Sequence, residues 1–479
     1  MRRYACLPIL AALLAVTGPA LAQTSIIEEA AAALGGRDRI LAARTLVMTG
    51  EGTNGNLGQD MTPDATGQQF RLTGYTRTID LAQSRMKIEQ TRTPNFMYYQ
   101  GPQPQKQILG LDGEIAYNVA PNGAATRLSG RAAIDRRLEY YHHPLTILRA
   151  ALDPAAKTSN VRAEGRERLV DLALPGGQQA TLAVDAATAL PSRVLTRTDN
   201  TVLGDVVVET TFGGYGEVGG LRLPSVLTTK TDRFPTAAIT ATAQTVNAPA
   251  GDLSAPAPAA ATGGAPAGGT VTSEIVAPGI WLLAGQSHHS VLVEFADHLA
   301  LIEAPQDDGR TLAVIRKARE LRPGKPLTQL IVTHHHFDHS GGVRAAISEG
   351  LEVITHRGNV AFFEEVAKRP HTIAPDALAK RPRAAKVTGV ADAMTLGDAS
   401  MEMRLYPIVG SGHTDTMLMA YFPKERVLVE ADLFSPAPGA QPYAANLLEN
   451  IRREALTVDR IVPIHGTIGP FSALEGAAK

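Results

Sequence analysis

The sequence predicts a two-domain chain of mixed class, an antiparallel β-rich α+β domain followed by an α/β domain. Three observations carry this reading. At 479 residues the chain exceeds one ordinary domain. Residues 248–270 are almost entirely Ala, Pro, Gly, Ser and Thr, with Asp252 the only charge, which reads as a semi-flexible spacer unable to bury a core. The pattern also changes across that spacer. Before it, short segments alternate apolar and polar residues, as half-buried antiparallel strands do. After it, apolar strands alternate with helical segments, and eleven of the 13 histidines lie beyond residue 280. The expected organisation is 1–22 a signal, 23–247 the β-rich domain, 248–270 the spacer and 271–479 the α/β domain.

The first 22 residues read as a secretory signal. Arg2-Arg3 form a basic start, Leu7 to Val16 an apolar stretch, and Ala20-Leu21-Ala22 a small-residue cleavage site. The apolar stretch is shorter than the roughly 20 residues a membrane span needs. The expected location is therefore periplasmic or secreted. Cleavage removes two arginines from the 46 basic residues, leaving 44 against 47 acidic ones. Such a balance offers no footprint for nucleic acid or an anionic membrane surface. The single cysteine, Cys6, falls inside the signal, so the mature chain has no disulfide, cysteine nucleophile or cysteine metal ligand.

In the β-rich domain, residues 24–43 read as a helix capped by Ser25, with Glu28 three residues on and Gly35-Gly36 interrupting it. Strands follow from about Thr45 to Val246, including 45–49, 85–89, 181–184, 193–196, 205–209 and 225–229. A helical insertion is expected over Ala132–Ala151, broken at Pro144. His142-His143 have no third ligand nearby and read as a surface or packing pair. The turn from Val184-Asp185 to Leu190-Pro191-Ser192-Arg193-Val194, the step Phe212-Gly213-Gly214-Tyr215 and the run Gly220-Leu221-Arg222-Leu223-Pro224 resemble the half-barrel of periplasmic lipoprotein carriers. That resemblance implies a lipophilic ligand for this domain.

The α/β domain is organised around Thr333-His334-His335-His336-Phe337-Asp338-His339-Ser340-Gly341-Gly342. The run follows the apolar strand Leu330-Ile331-Val332 and leads into a helix over 343–348, so its ligands are pinned at both ends. His334 and His336 alternate on an extended segment and can hold one metal, and Asp338 and His339 can hold a second. Three further candidates each follow an apolar strand: His413 in Gly410-Ser411-Gly412-His413, Asp432 after Val427 to Ala431, and His465 after Ile461 to Ile464. The glycines beside His413 and His465 would let the backbone approach a metal closely. Helices are expected over 309–321, 342–348, 358–368 and 445–456.

Those seven positions resemble the metallo-β-lactamase superfamily, whose pattern is His-x-His-x-Asp-His, then a distant His, a bridging Asp and a final His. The resemblance covers 271–479 and implies a four-layer αββα sandwich with two divalent metals at one edge. By similarity, His334, His336 and His413 hold one metal, Asp338, His339 and His465 the other, and Asp432 bridges. Zinc is the default for such nitrogen and carboxylate ligands, and manganese and iron also fit them. The implied chemistry is hydrolysis by a metal-bridging hydroxide, positioned by Asp338, of an ester-like, thioester, lactone or amide bond in a small molecule.

Departures from the family pattern narrow this. Asp432 stands where the best-known β-lactamases have Cys or Ser, and instead resembles glyoxalase II and lactonases. His413-Thr414-Asp415-Thr416-Met417 replaces the usual His-Thr-Pro-Gly-Ser turn. His336 argues against the electron-transfer branch, which has Glu there, and the signal argues against a branch acting on intracellular thiols. No added clamp domain of the kind that family nucleases carry is visible. A β-lactam-hydrolysing enzyme, or a carrier of lipophilic ligands with an accessory metal domain, remains as an alternative. Around the pocket, His288 and His289 on a loop between two early strands, and Tyr443 and Asn446 after the bridging Asp, are candidate substrate contacts. His335 and His356 fit no ligand position and read as structural.

Overall fold

The computed structural model describes residues 19–99, 101–174, 176–261, 269–439 and 441–479. Most of the segment read as a signal, residues 1–18, lies outside that range. Among the described residues, no helix is long and apolar enough to cross a membrane.

The first region is one antiparallel sheet of thirteen strands running from Thr45–Gly55 to Phe234–Val246. Strands consecutive in the chain are neighbours in the sheet, except that Ala125–Arg127 and Lys157–Glu164 lie at its two opposite edges; the first strand also pairs with the last, Leu46 opposite Val246. Period-two alternation puts Leu46, Met48, Ile79, Met86, Leu182, Val184 and Val194 on one buried face. Two helices fill that face. Pro19–Leu34 contributes Ile26, Ile27, Ala30, Ala31 and Leu34, and Pro144–Ala151 contributes Leu145, Ile147 and Leu148. The described part of the first helix already extends six residues ahead of Ser25, so Ser25 is not its cap.

His142 and His143 are packing residues, and neither is on the surface. His142 lies between Thr210 Oγ1 (2.7 Å) and Thr196 Oγ1 (2.9 Å), while His143 Nδ1 accepts the Leu145 N–H that opens the helix at Pro144. Burial pushes both imidazoles down to about 3.

Part of the segment read as a free spacer packs on this sheet. Leu253 and Ala259 are buried, the Ala255 N–H donates to Asp112 Oδ2 (2.9 Å), and Ala257–Ala261 is helical. One leucine in an otherwise small and polar run supplies the apolar anchor.

The second region holds two sheets. The first, of seven strands, runs from Thr272–Ala277 to Val387–Val390, and its last four strands are parallel. The second has six strands from Met394–Gly397 to Gly469–Pro470, with one parallel pair. Three apolar clusters give the layer order. Val314, Ile315, Val343 and Phe363 pack helices onto the first sheet. Val291, Ile302, Ile331, Val429 and Val462 join the two sheets. Leu447, Leu448, Ile451 and Leu474 pack two further helices onto the second sheet. The result is helix, sheet, sheet, helix. Helices at Asp308–Leu321, Val343–Ser348, Val360–Lys368 and Ala444–Arg453 lie close to their expected places.

The two regions share a seam. Val202, Leu203, Val206 and Phe234 of the first region join the apolar cluster of the second. Arg233 pairs with Glu365 (2.8 Å), and Asp205 accepts from the Thr372 and Ile373 N–H groups. Most consequential is the loop after the first strand. The Gly58 carbonyl accepts from Phe337 N (3.1 Å) and the Met61 carbonyl from Asp415 N (2.8 Å). Gly58 has φ 73°, and a Cβ there would stand 2.4 Å from the Phe337 ring, so this approach needs glycine.

Candidate metal centre

Strand ends gather the site. Leu299–Ile302 and Leu327–Val332 are parallel, so Glu303 and the histidine loop emerge at the same edge. Val427–Glu430 and Arg460–Pro463 are parallel in the other sheet, so Asp432 and His465 emerge together. The Leu418 N–H bonds the Thr333 carbonyl (2.8 Å) and ties the two edges. Asp432 has φ 65°, a left-handed turn that aspartate tolerates better than most residues and that here accompanies an inward carboxylate.

Asp432 is the hub. Its Oδ2 lies 2.9 Å from His413 Nε2, 3.1 Å from His339 Nε2 and 3.5 Å from His334 Nε2, and its Oδ1 lies 2.8 Å from His465 Nε2. The donors divide into two groups able to hold an ion, His334–His336–His413–Asp432 and His288–Asp338–His339–His465. The opposite nitrogens are fixed by the protein. His334 Nδ1 meets Thr333 Oγ1 (3.0 Å), His339 Nδ1 meets Glu303 Oε2 (2.7 Å) and His465 Nδ1 meets the Ser287 carbonyl (2.8 Å). Glu303 is fully buried and also accepts the Thr333 N–H (2.8 Å), so one carboxylate locks both the loop and a ring.

These groups fit a pair of cations. His336 Nδ1 is buried without any hydrogen-bond partner. His413 Nε2 and His334 Nε2 approach to 3.4 Å, and His465 Nε2 and His339 Nε2 to 3.2 Å. Buried polar atoms are ordinarily paired, and an unpaired nitrogen beside converging lone pairs is what a cation would satisfy.

The electrostatics agree. Burial holds His334 and His336 well below the usual imidazole range, so both are neutral and can donate a lone pair. Burial opposes charge on His339 too, but Asp432, Asp338 and Glu303 outweigh it and hold His339 well above that range. Asp432 raises His465 against burial in the same way. Burial would raise both carboxyls. His339, His465 and His413 nevertheless hold Asp432 well below the usual carboxylate range, and His339 and His288 do so for Asp338. Nearby Glu430 is pushed up to about 8, because burial, with the Asp432 charge, outweighs the Leu433 and Phe434 N–H groups and His339.

The first region reaches into this centre. Gln59 Nε2 donates to Asp338 Oδ1 at 2.6 Å, and His336 Nε2 faces the Asp60 carbonyl at 3.0 Å. With its Nε2 proton on that carbonyl, His336 presents Nδ1 inward. A cavity of about 590 Å³ opens between the regions, floored by Asp338, Asp432, His413 and His465 and walled by Phe96 and Tyr98.

The remaining candidates fall in different places. His288 points inward, with Nε2 3.0 Å from Asp338 Oδ2, and its carbonyl accepts from buried Arg310 (3.1 Å). His289 instead faces the Gly466 carbonyl (3.1 Å) and lies outside the cavity lining. Tyr443 lines the cavity, and its hydroxyl donates to the Met97 carbonyl (2.5 Å). Asn446 donates to the Val409 carbonyl (2.9 Å) and does not line the cavity. His335 bonds Thr416 Oγ1 (3.2 Å), and His356 Nδ1 accepts from Gly358 N (3.1 Å). The glycines beside the ligands serve other neighbours. A Cβ on Gly412 would meet Met97 Sδ at 3.2 Å, and one on Gly466 would meet Ser435 Oγ at 2.4 Å.

Sequence reasoning missed Glu303, Gln59 and Asp60. Glu303 carried a signal, an acid directly after the apolar run Leu299 to Ile302, as Asp432 follows its own strand. Gln59 and Asp60 carried none.

The metallo-beta-lactamase superfamily profile matches residues 284–465. Two curated proteins named metallo-beta-lactamase type 2 are similar. The one from Bacillus cereus is 24% identical over 180 residues, covering 36% of this chain and 64% of that protein. The one from Bacillus sp. strain 170 is 25% identical over 185 residues, covering 36% and 63%. The chain thus spans a little under two thirds of these relatives. Among solved structures, the metallo-beta-lactamase from Pontibacter korlensis has 17% identity and a TM-score of 0.36, covering 44% of this chain and 97% of its own. That from Hirschia baltica has 16% identity and a TM-score of 0.33, covering 44% and 96%. By the profile match alone, residues 284–465 are a metallo-beta-lactamase superfamily domain, and they hold two His/Asp groups of the kind that a dinuclear site uses.

Proposed function

We propose that this protein is an exported dinuclear zinc hydrolase acting on an ester-like, thioester, lactone or amide bond of a small molecule. The observation that carries the reading is the pair of donor groups meeting at Asp432, with His336 Nδ1 buried and unpartnered in one of them. His334, His336, His413 and Asp432 would hold one ion, and Asp338, His339, His465 and Asp432 the other. Bound there, the two ions supply Lewis acidity toward the substrate oxygen and a nucleophile at neutral pH.

The protein's own groups supply position. Asp338 is held at both oxygens, by Gln59 at Oδ1 and His288 at Oδ2, so it can orient the attacking water and take its proton at a fixed place. Glu303 keeps the His339 ring turned inward. The cavity walls restrict water at the reacting bond. Export is supported by the sequence of residues 1–22.

A β-lactam substrate is a second reading, favoured by the names of the relatives. The carrier reading has a cavity of about 520 Å³ against the thirteen-stranded sheet, but Arg77, Arg131, Asp135, Arg136 and Glu139 line it, which suits a purely lipophilic ligand poorly. The test is a screen of the zinc-loaded protein on thioesters, lactones, β-lactams, phosphodiesters and sulfate esters. Turnover of a carbonyl substrate that His336→Ala abolishes is expected. Turnover of none, by protein holding two zinc ions, would contradict the proposal.

A further inference from the structure

The metal centre is floored by one region and faced by the other, and the facing wall is aromatic. The loop after the strand Arg85–Pro94 carries Phe96, Tyr98 and Tyr99 into the cavity lining. These rings form one edge-to-face group with Phe70. The centroids are 5.2 Å apart for Phe70–Phe96, 5.5 Å for Phe70–Tyr98, 5.7 Å for Phe96–Tyr98 and 4.6 Å for Tyr98–Tyr99. Arg92 stacks over Phe70 at 4.2 Å and backs the group. The loop is pinned across the seam, because Tyr443 of the metal domain donates to the Met97 carbonyl. Tyr443 and Phe434 continue the apolar lining on the metal-domain side.

The polar part of the lining has one character. Gln59, Gln68, Asn56, Gln441, Ser287 and Ser435 are neutral, and among the described lining residues the only acids, Asp338 and Asp432, and the histidines, His288, His413 and His465, all belong to the donor groups. Among the described residues lining the cavity there is no lysine or arginine. An anionic group carried away from the metal floor would be desolvated beside aromatic rings without a side-chain cation to meet it. An uncharged apolar group would gain both burial and ring contacts there.

We propose that the N-terminal region supplies the substrate-binding wall of the metal centre. The substrate is an uncharged ester or lactone whose apolar, preferentially aromatic, group lies against Phe96 and Tyr98. The proposal rests on the hydrolase reading for the reaction and on the wall itself for the substrate class. Hydrolysis places water across the carbonyl carbon–oxygen bond. The hydroxyl goes to the acyl carbon and the proton to the leaving oxygen, so no further reactant is needed.

The test pairs turnover with binding on the full chain. The zinc-loaded protein is assayed on 4-nitrophenyl phenylacetate and on its counterpart with a carboxylate para on the phenylacetyl ring. Binding of the amide N-(4-nitrophenyl)phenylacetamide to metal-free protein is measured by calorimetry. The neutral ester is expected to have the higher kcat/KM by about tenfold or more. Tyr98→Ala and Phe96→Ala are each expected to raise KM and the amide's Kd by about three- to tenfold with kcat little changed, and Tyr98→Phe to restore both constants. Equal or faster turnover of the carboxylated ester, or an unmoved Kd in both alanine variants, would overturn the proposal. If wild-type protein hydrolyses neither ester but its amide Kd follows the ring substitutions, the wall stands and the hydrolase reading fails. If turnover proceeds and neither KM nor Kd follows the rings, the wall fails and the hydrolase reading stands.

Discussion

The two regions meet at one site and contribute different things to it. The metal domain supplies every candidate ligand, each just past a strand end. Among its described residues the thirteen-stranded region supplies no candidate ligand, yet Gln59 touches Asp338 and the Asp60 carbonyl fixes His336. The lesson is a division between chemistry and posture. Donor atoms come from a compact fold whose edges converge, and two of those donors are oriented by a loop some 280 residues earlier in the chain. A comparison of substitutions on the two sides measures this division.

The largest effect is expected on the metal-domain side. Asp432→Ala removes the group facing both donor sets, and should lower hydrolysis by on the order of a thousandfold or more and reduce bound zinc below two ions. Elemental analysis beside the kinetics separates the two effects. Glu303→Gln leaves all ligands in place but removes the charge behind His339. Zinc affinity, read by competition with a chromophoric chelator, should fall by about 10–100-fold.

Zinc binding should also depend on pH with a definite sign. His339 is held well above the usual imidazole range and His465 is raised, so the metal-free protein holds protons there more tightly than a free imidazole does, whereas buried His334 and His336 are held well below that range. Zinc must displace the first pair's protons and none from the second. Affinity therefore rises with pH through the neutral range, and calorimetry in buffers of different ionisation heat should register proton release. Asp338 and Asp432, held low, stay ionised throughout and add no slope there. Smallest of all is Tyr443→Phe, which keeps the ring and removes the bond to the Met97 carbonyl. Loss of one such bond is worth about 1 kcal/mol, so KM should rise by about fivefold at most with kcat retained.

How much of this was legible in the sequence follows the same division. The histidine loop, His413, Asp432 and His465 were readable because each sits at the end of an apolar run, a local pattern. Glu303 had the same pattern and was readable in principle. The aromatic wall was half-legible, since Phe96-Met97-Tyr98-Tyr99 is a conspicuous apolar run between Pro94-Asn95 and Gly101-Pro102. Gln59 and Asp60 were not legible. Their roles come from tertiary approach of a polar loop, and one of them acts through a backbone carbonyl that any residue could offer. His289 and Asn446 show the converse. Both stand beside site residues in sequence, but adjacent side chains on an extended loop diverge, and Asn446 lies on the helix side that meets Val409. The spacer was read from composition, which averages out Leu253, a large apolar side chain that is buried there beside Ala259.

The most direct test of a centre shared between the two regions is Gln59→Ala in the full chain, with bound zinc and kcat measured on the same sample. Gln59 is no ligand, so two zinc ions should remain, while kcat should fall by about tenfold because Asp338 loses the bond at Oδ1 that orients it. A kcat equal to wild type, with two zinc ions bound, would contradict the account.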